Sequence, residues 1–253
     1  MMNLNELKRM AGREGVPQAI IEKDFALTIA LGLIAGSDLS RHLIFKGGTA
    51  IKKAYFPGAR FSEDLDFTVR GLDKDELLKR LSGVLEGIEL ENVRFGRVER
   101  EPTKAGLKAA VKFMGPLGHG QRIRFDFSFR ENLVQQPETR QLDNSYGIGG
   151  KKEIAVLALE ELFAEKIHAL GSRKAPRDLY DVWFLFGRGV RLDTKMVEKK
   201  FAYYGEKFEK AKTLENALSM KMDWKRDLHP FVKNLPDFES VYQNVKEKIE
   251  ASF

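Results

Sequence analysis

The chain has 253 residues, enough for one large domain or two small ones. An apolar share of 43% beside 32% charged residues excludes a disordered chain, and the lack of cysteine excludes disulfides and thiolate zinc sites. The net charge of +6 suits an anionic partner such as a nucleotide or RNA and equally a solvated basic surface, while the four histidines fit no common metal spacing. A bound metal would be hard and oxygen-ligated, magnesium or manganese.

The start, Met1 to Arg13, is polar and mixed in charge and does not read as a signal peptide. Helical periodicity over Pro17 to Leu33 predicts a first long helix. Its apolar stretch, Phe25 to Gly36, is too short to span a bilayer, so no membrane association and a cytoplasmic setting are expected. His42 to Phe45 is an apolar run ending in Lys46-Gly47-Gly48, a strand meeting a tight turn. Thr49 to Tyr55 predicts a short helix stopped by Pro57-Gly58. Asp64 to Val69 alternates acidic and apolar residues, the period of a half-buried strand.

Lys74 to Ile88 predicts an amphipathic helix. Strands follow near Val93 to Arg100, Leu107 to Phe113 and Arg122 to Phe129, the last two joined as a hairpin through Gly115 to Gly120. Beyond Gly150 the pattern is helical: Leu157 to Leu170, Pro176 to Phe186, Lys195 to Lys210, Leu214 to Met222 and Phe238 to Ile249. The expected organisation is an α/β domain with an N-terminal helix over residues 1–150 and a helical domain over 151–253.

The chemistry concentrates in Ile44-Phe45-Lys46-Gly47-Gly48-Thr49-Ala50 and Arg60-Phe61-Ser62-Glu63-Asp64-Leu65-Asp66-Phe67. Two glycines after a strand let the backbone approach a bulky anion. Thr49 opens a helix, whose N-terminal N–H groups suit phosphate. Asp64 and Asp66, two apart on a strand, point to one face and can share divalent cations. Asp126, flanked by apolar residues, offers a third carboxylate if its strand lies beside theirs, and three acids can hold two magnesium ions. Asp126 reads equally as a strand charge paired with Arg122 or Arg124.

These residues resemble the nucleotidyltransferase superfamily typified by DNA polymerase β, and more narrowly the AbiEii family, the toxin half of type IV toxin–antitoxin systems. Ile21-Glu22-Lys23-Asp24 resembles that family's N-terminal helix. Glu161-Leu162-Phe163-Ala164-Glu165-Lys166-Ile167-His168-Ala169-Leu170 and Pro176-Arg177-Asp178-Leu179-Tyr180-Asp181 resemble its C-terminal motifs. The resemblance implies a nucleotidyltransferase core with a mixed β-sheet, closed by a C-terminal helical domain, the nucleotide lying in the cleft between them. Gly47, Gly48 and Thr49 would contact the triphosphate, Asp64 and Asp66 would bind magnesium, and Lys166 would touch the nucleotide phosphates. Asp178 or Asp181 would complete the site, and whether Asp126 or this helical acid is the third is open. Outside the resemblance, Lys166 reads as a snorkelling lysine, and Asp178 as an early-helix acid facing the dipole.

The implied reaction moves a nucleotide from a nucleoside triphosphate to an acceptor hydroxyl, with tRNA ends the leading acceptor and a protein hydroxyl, an AMPylation-like reaction, the second. A cognate antitoxin would be encoded nearby. A non-catalytic nucleotide- or RNA-binding module is the third reading. Asp64-Leu65-Asp66-Phe67-Thr68 also matches the Asp-x-Asp-x-Thr of haloacid-dehalogenase-like phosphatases, but the preceding Ala59 to Glu63 is no buried strand. Sugar-nucleotide glycosyltransferases need a longer upstream α/β region. Arg173, Lys174 and Arg177 form a basic cluster, His168 is expected to pack or bond locally, and Phe201, Tyr203, Tyr204 and Phe208 are expected in a helical core.

Overall fold

A computed structural model describes residues 2–130 and 132–253. The chain divides into two compact units, Met1–Glu131 with Pro137–Leu157, and Asn132–Gln136 with Ala158–Phe253. The division falls at Leu157 rather than at 150, and a five-residue segment, 132–136, belongs to the helical unit although the chain then returns to the sheet.

The α/β unit opens with α1 (Leu4–Glu14). Asn3 caps it by accepting from the N–H groups of Asn5 and Glu6, and Glu6 reciprocates by accepting from Asn3 N. Gly15, at φ 63°, ends it. Helix α2 (Gln18–Ala35) is apolar around most of its circumference and is accordingly buried, with Ile21, Phe25, Leu27 and Ile34 at 2% exposure or less. Among the described residues no helix is long and apolar enough to cross a membrane.

Strand β1 (Leu43–Lys46) runs directly into α3 (Gly47–Ala50), which continues as a wider π turn over Ile51–Tyr55. The helix thus starts at the first glycine, two residues before the expected Thr49. Then come β2 (Asp64–Val69), α4 (Lys74–Leu85), β3 (Glu89–Leu90), β4 (Val93–Glu101), β5 (Leu107–Met114), β6 (Gly120–Ser128), β7 (Glu138–Gln141) and β8 (Glu153–Val156). They form one mixed sheet in the order β3-β4-β5-β6-β2-β1-β8-β7. β2 is antiparallel to β1 and parallel to β6, and β5 and β6 form the expected hairpin.

Alternation divides the sheet's two faces. Phe45, Leu65, Phe67, Phe125 and Phe127 fill one, with ring centroids 5.3–5.9 Å apart along Phe45, Phe67, Phe127 and Phe125. Lys46, Asp64, Asp66, Arg124 and Asp126 lie on the other.

The helical unit contains α5 (Leu159–Ser172), α6 (Pro176–Gly187), α7 (Thr194–Tyr203), α8 (Lys210–Ser219), α9 (Trp224–Leu228) and α10 (Phe238–Ser252). Pro176 occupies the first turn of α6, where its missing N–H costs nothing. The helix expected to reach Lys210 ends at Tyr203, because Gly205 turns the chain at φ 72°. Buried Glu161 of α5 accepts from the N–H groups of Val134 and Gln135 at 2.8 and 2.7 Å. Lys200 of α7 donates to Glu161 at 2.6 Å and to the carbonyl of Asn132 at 2.9 Å, which fastens segment 132–136 to the helices.

Candidate active site

Gly47 has φ +78°, and a Cβ there would lie 2.0 Å from Oδ2 of Asp66. The Asp66 carboxylate therefore occupies space that only glycine leaves. The next glycine is nearly as confined, since a Cβ on Gly48 would lie 3.0 Å from Arg60 Nη2 and 3.2 Å from Ser62 Oγ. The glycine pair, Asp66, Arg60 and Ser62 form one tightly fitted group. Sequence reasoning assigned no role to Arg60 or Ser62, although both stand in the segment leading to Asp64.

Asp64 and Asp66 are half-buried on one face of β2, while Leu65 and Phe67 are fully buried on the other. Lys46 is the cross-strand partner of Asp66 on β1, and Asp126 its partner on β6. The strand of Asp126 thus lies beside that of the acid pair, as the sequence reading required. Asp126 pairs with Lys108 of β5 at 3.4 Å; Arg122 and Arg124, its expected partners, instead face Glu101 at 3.1 and 3.8 Å. The register explains this, because Lys108 stands directly opposite Asp126 in the hairpin.

Thr49 is buried, and its hydroxyl donates to the carbonyl of Asp64 at 2.5 Å. This bond ties the helix start to the acid strand, leaving the main-chain N–H groups of the turn as what the segment can offer an anion.

Three consecutive residues of α2 hold the surroundings. Buried Glu22 accepts from Leu117 N and from the amide of Gln121, gripping the β5–β6 turn. Lys23 donates to Glu63, the residue before Asp64, at 2.9 Å. Asp24 accepts from Lys53 at 2.7 Å, on the helical segment after the glycine pair, and from Tyr146 at 2.8 Å. Lys52 donates to the carbonyls of Pro57 and Ala59, fixing the loop that returns to β2, and burial pushes its pKa down.

In the helical unit Lys166 is buried between two acids of α6, 3.2 Å from Asp178 and 2.7 Å from Asp181. Their three-residue spacing puts both on one helical face. Arg173 donates twice to Asp178, at 2.7 and 3.1 Å. Burial alone would raise the Asp178 pKa, but Lys166 and Arg173 outweigh it and hold the carboxyl at about 2. Lys166 is thus an enclosed lysine held between two carboxylates rather than a snorkelling one.

His168 packs edge-on against Phe201 and bonds to Glu206 and Ser172, both at 3.2 Å. Phe201 is buried as expected, whereas Tyr203 and Tyr204 are each 43% exposed, because they fall where α7 ends and the chain turns outward.

Among the described residues no group of three or more histidines and acids is arranged to hold a metal ion. Magnesium, however, is usually held by one or two carboxylates plus substrate phosphates rather than by an all-protein cage. Asp64 and Asp66, all-oxygen donors on one face with Gly47 leaving room for the second, fit that demand.

The family model described as "Nucleotidyl transferase AbiEii toxin, Type IV TA system" matches residues 31–244, and the chain belongs to that family. It is a nucleotidyltransferase of the toxin–antitoxin class. The uncharacterized protein aq_aa25 of Aquifex aeolicus (strain VF5) is 26% identical over 178 residues, covering 68% of this chain and 72% of that one. In fold the chain is similar to MenT4, a nucleotidyltransferase toxin from Mycobacterium tuberculosis H37Rv. The TM-score is 0.76 at 18% identity, over 98% of this chain and 89% of that one.

Proposed function

We propose that the protein transfers a nucleotide from a nucleoside triphosphate to a hydroxyl at a tRNA end, in the cytoplasm and with magnesium or manganese. The observation that carries this reading is the fit of the Asp66 carboxylate into the space left by Gly47, which joins the anion-binding turn and the acid pair into one group. Asp64 and Asp66 would hold the metal, while Asp126, in register beside Asp66, is engaged by Lys108 and adds its charge next to that pair. The metal supplies Lewis-acid stabilisation of charge on the phosphoryl oxygens. The main-chain N–H groups of Gly47, Gly48 and Thr49 receive the triphosphate. Lys166, held by Asp178 and Asp181, takes the phosphate contact that the family resemblance gives it.

The acceptor hydroxyl oxygen attacks the α-phosphorus in line and gives up its proton to solvent; one P–O bond forms as the bond to the β-phosphate oxygen breaks, and pyrophosphate leaves. Positioning supplies much of the rate in such a site. Membership of a type IV toxin–antitoxin family makes a cognate antitoxin the expected partner.

The test is incubation with each α-labelled nucleoside triphosphate, magnesium, and total tRNA or cell protein. Label on tRNA supports the reading. Label on protein alone moves the acceptor to a side-chain hydroxyl. No label from folded protein over all acceptors and all four triphosphates refutes transfer to either and favours a binding module.

A further inference from the structure

The helical unit contains a cavity of about 330 Å³ among the end of α5, the α5–α6 loop, the segment after α7 and the start of α8. That is near the lower end of the range for small-ligand pockets, roughly 300–1,000 Å³. Arg173, Lys174, Lys207 and Lys212 line it, against two carboxylates, Glu206 and Glu209. Both carboxylates are engaged: Glu206 accepts from Ser172 and faces His168, and Glu209 lies 4.0 Å from Lys212. Arg173 is held by Asp178. Lys174 and Lys207, both exposed, have no ion-pair partner among the described residues, so the cavity presents uncompensated positive charge.

Three aromatic side chains stand beside its lining residues. His168, bonded to the lining residues Ser172 and Glu206, stacks on Tyr204 with ring centroids 4.5 Å apart and planes at 16°. Tyr203 meets Tyr204 edge-on at 5.3 Å. Rings placed for the core would be covered, yet both tyrosines are substantially exposed. Cations that track a backbone beside a ring that can stack a base are the two components of single-stranded nucleic-acid binding.

We propose that this cavity binds a nucleotide unit of single-stranded RNA, its phosphate on Lys174 and Lys207 and its base against Tyr204. Arg173 joins this cavity to the Asp178–Lys166 pair, so an RNA phosphate there competes with Asp178 for the guanidinium. The proposal rests on the proposed function only in that the acceptor is RNA, and it is tested without turnover.

The experiment is fluorescence anisotropy of a short labelled single-stranded RNA on the full-length Asp64→Asn protein, without metal or triphosphate. In this form binding can fail while transfer stands, and can stand while transfer fails. The double variant Lys174→Gln/Lys207→Gln is expected to bind about ten-fold more weakly, with a log–log salt slope shallower by about 0.7, the share of the one phosphate that the two lysines hold on a single strand. Tyr204→Ala is expected to lose about ten-fold with the slope unchanged, and Tyr204→Leu, which keeps apolar cover on His168, to lose as much. Affinity and slope unchanged in all variants overturn the proposal. Equal affinity for a free nucleoside triphosphate, lost in the same variants, overturns the RNA assignment and gives the cavity to the free nucleotide.

Discussion

Asp24 of α2 and Lys53 of the segment after the glycine pair form an ion pair of 2.7 Å, with side chains only 3% and 1% exposed. Tyr146 donates to the same carboxylate oxygen, and burial together with Asp24 raises the tyrosine pKa, so it stays a protonated donor. A buried pair of this kind is weak evidence of net stabilisation, but breaking it is costly, about 3–5 kcal/mol, because one charge is stranded. Asp24→Ala is expected to lower the melting temperature strongly, and Asp24→Leu with Lys53→Met to recover much of the loss. A double variant no more stable than the single one refutes the stranded-charge account.

Gly47→Ala combines two faults. An alanine at φ +78° carries about 1–2 kcal/mol of backbone strain, and its methyl group would overlap the Asp66 carboxylate. A displaced carboxylate is expected to cost about 100-fold or more in transfer rate. Labelled-nucleotide transfer beside a thermal melt separates the two. Near-normal turnover would show that the Asp66 position is not critical.

Asp64→Asn and Asp66→Asn are expected to abolish transfer while leaving the folding stability within about 1 kcal/mol of the parent, as both side chains are only half-buried. Withdrawing divalent cations with a chelator should stop the parent enzyme likewise, and adding magnesium or manganese should restore it. Full activity in the chelator would remove Asp64 and Asp66 from metal binding.

Asp178 links stability to acid. Its pKa falls from the usual 3.8 to about 2, so its contribution is fully present above pH 3.8 and is lost as pH drops through 2. The shift corresponds to about 2 kcal/mol. Denaturant melts between about pH 5 and about pH 2 should show a steeper fall for the parent than for Asp178→Asn. Parallel curves would mean that Lys166 and Arg173 do not hold the carboxylate in solution.

Much of the site was legible because it is local. The Gly-Gly turn, the Asp-x-Asp alternation and the proline at the start of α6 each carry their geometry within a few residues. The β5–β6 hairpin followed from strand period and turn residues, whereas the parallel pairing of β6 with β2 that sets Asp126 beside Asp66 stood in the sequence only as a condition. Most of what escaped depends on distant partners. β7 and β8, four residues each, pair with one another, and β8 joins the rest of the sheet by meeting β1 across more than a hundred residues of chain. Helix α1 carried a capping box at Asn3 and Glu6 that sequence reading passed over. Glu22 and Asp24 could be quoted as a motif, but nothing in their neighbours announces Gln121 or Tyr146. The opposite error occurred at Tyr203 and Tyr204, where aromatic content suggested a core and the helix ended first.

The clasp of Glu161 and Lys200 on residues 132–136 bears on how the protein can be divided. A fragment beginning at Ala158 would contain every helix of its unit, yet buried Glu161 would lose two donors and buried Lys200 an acceptor. Limited proteolysis between the units should therefore release no independently stable C-terminal piece, and complementation from two separately expressed halves should work only when 132–136 travels with the helices.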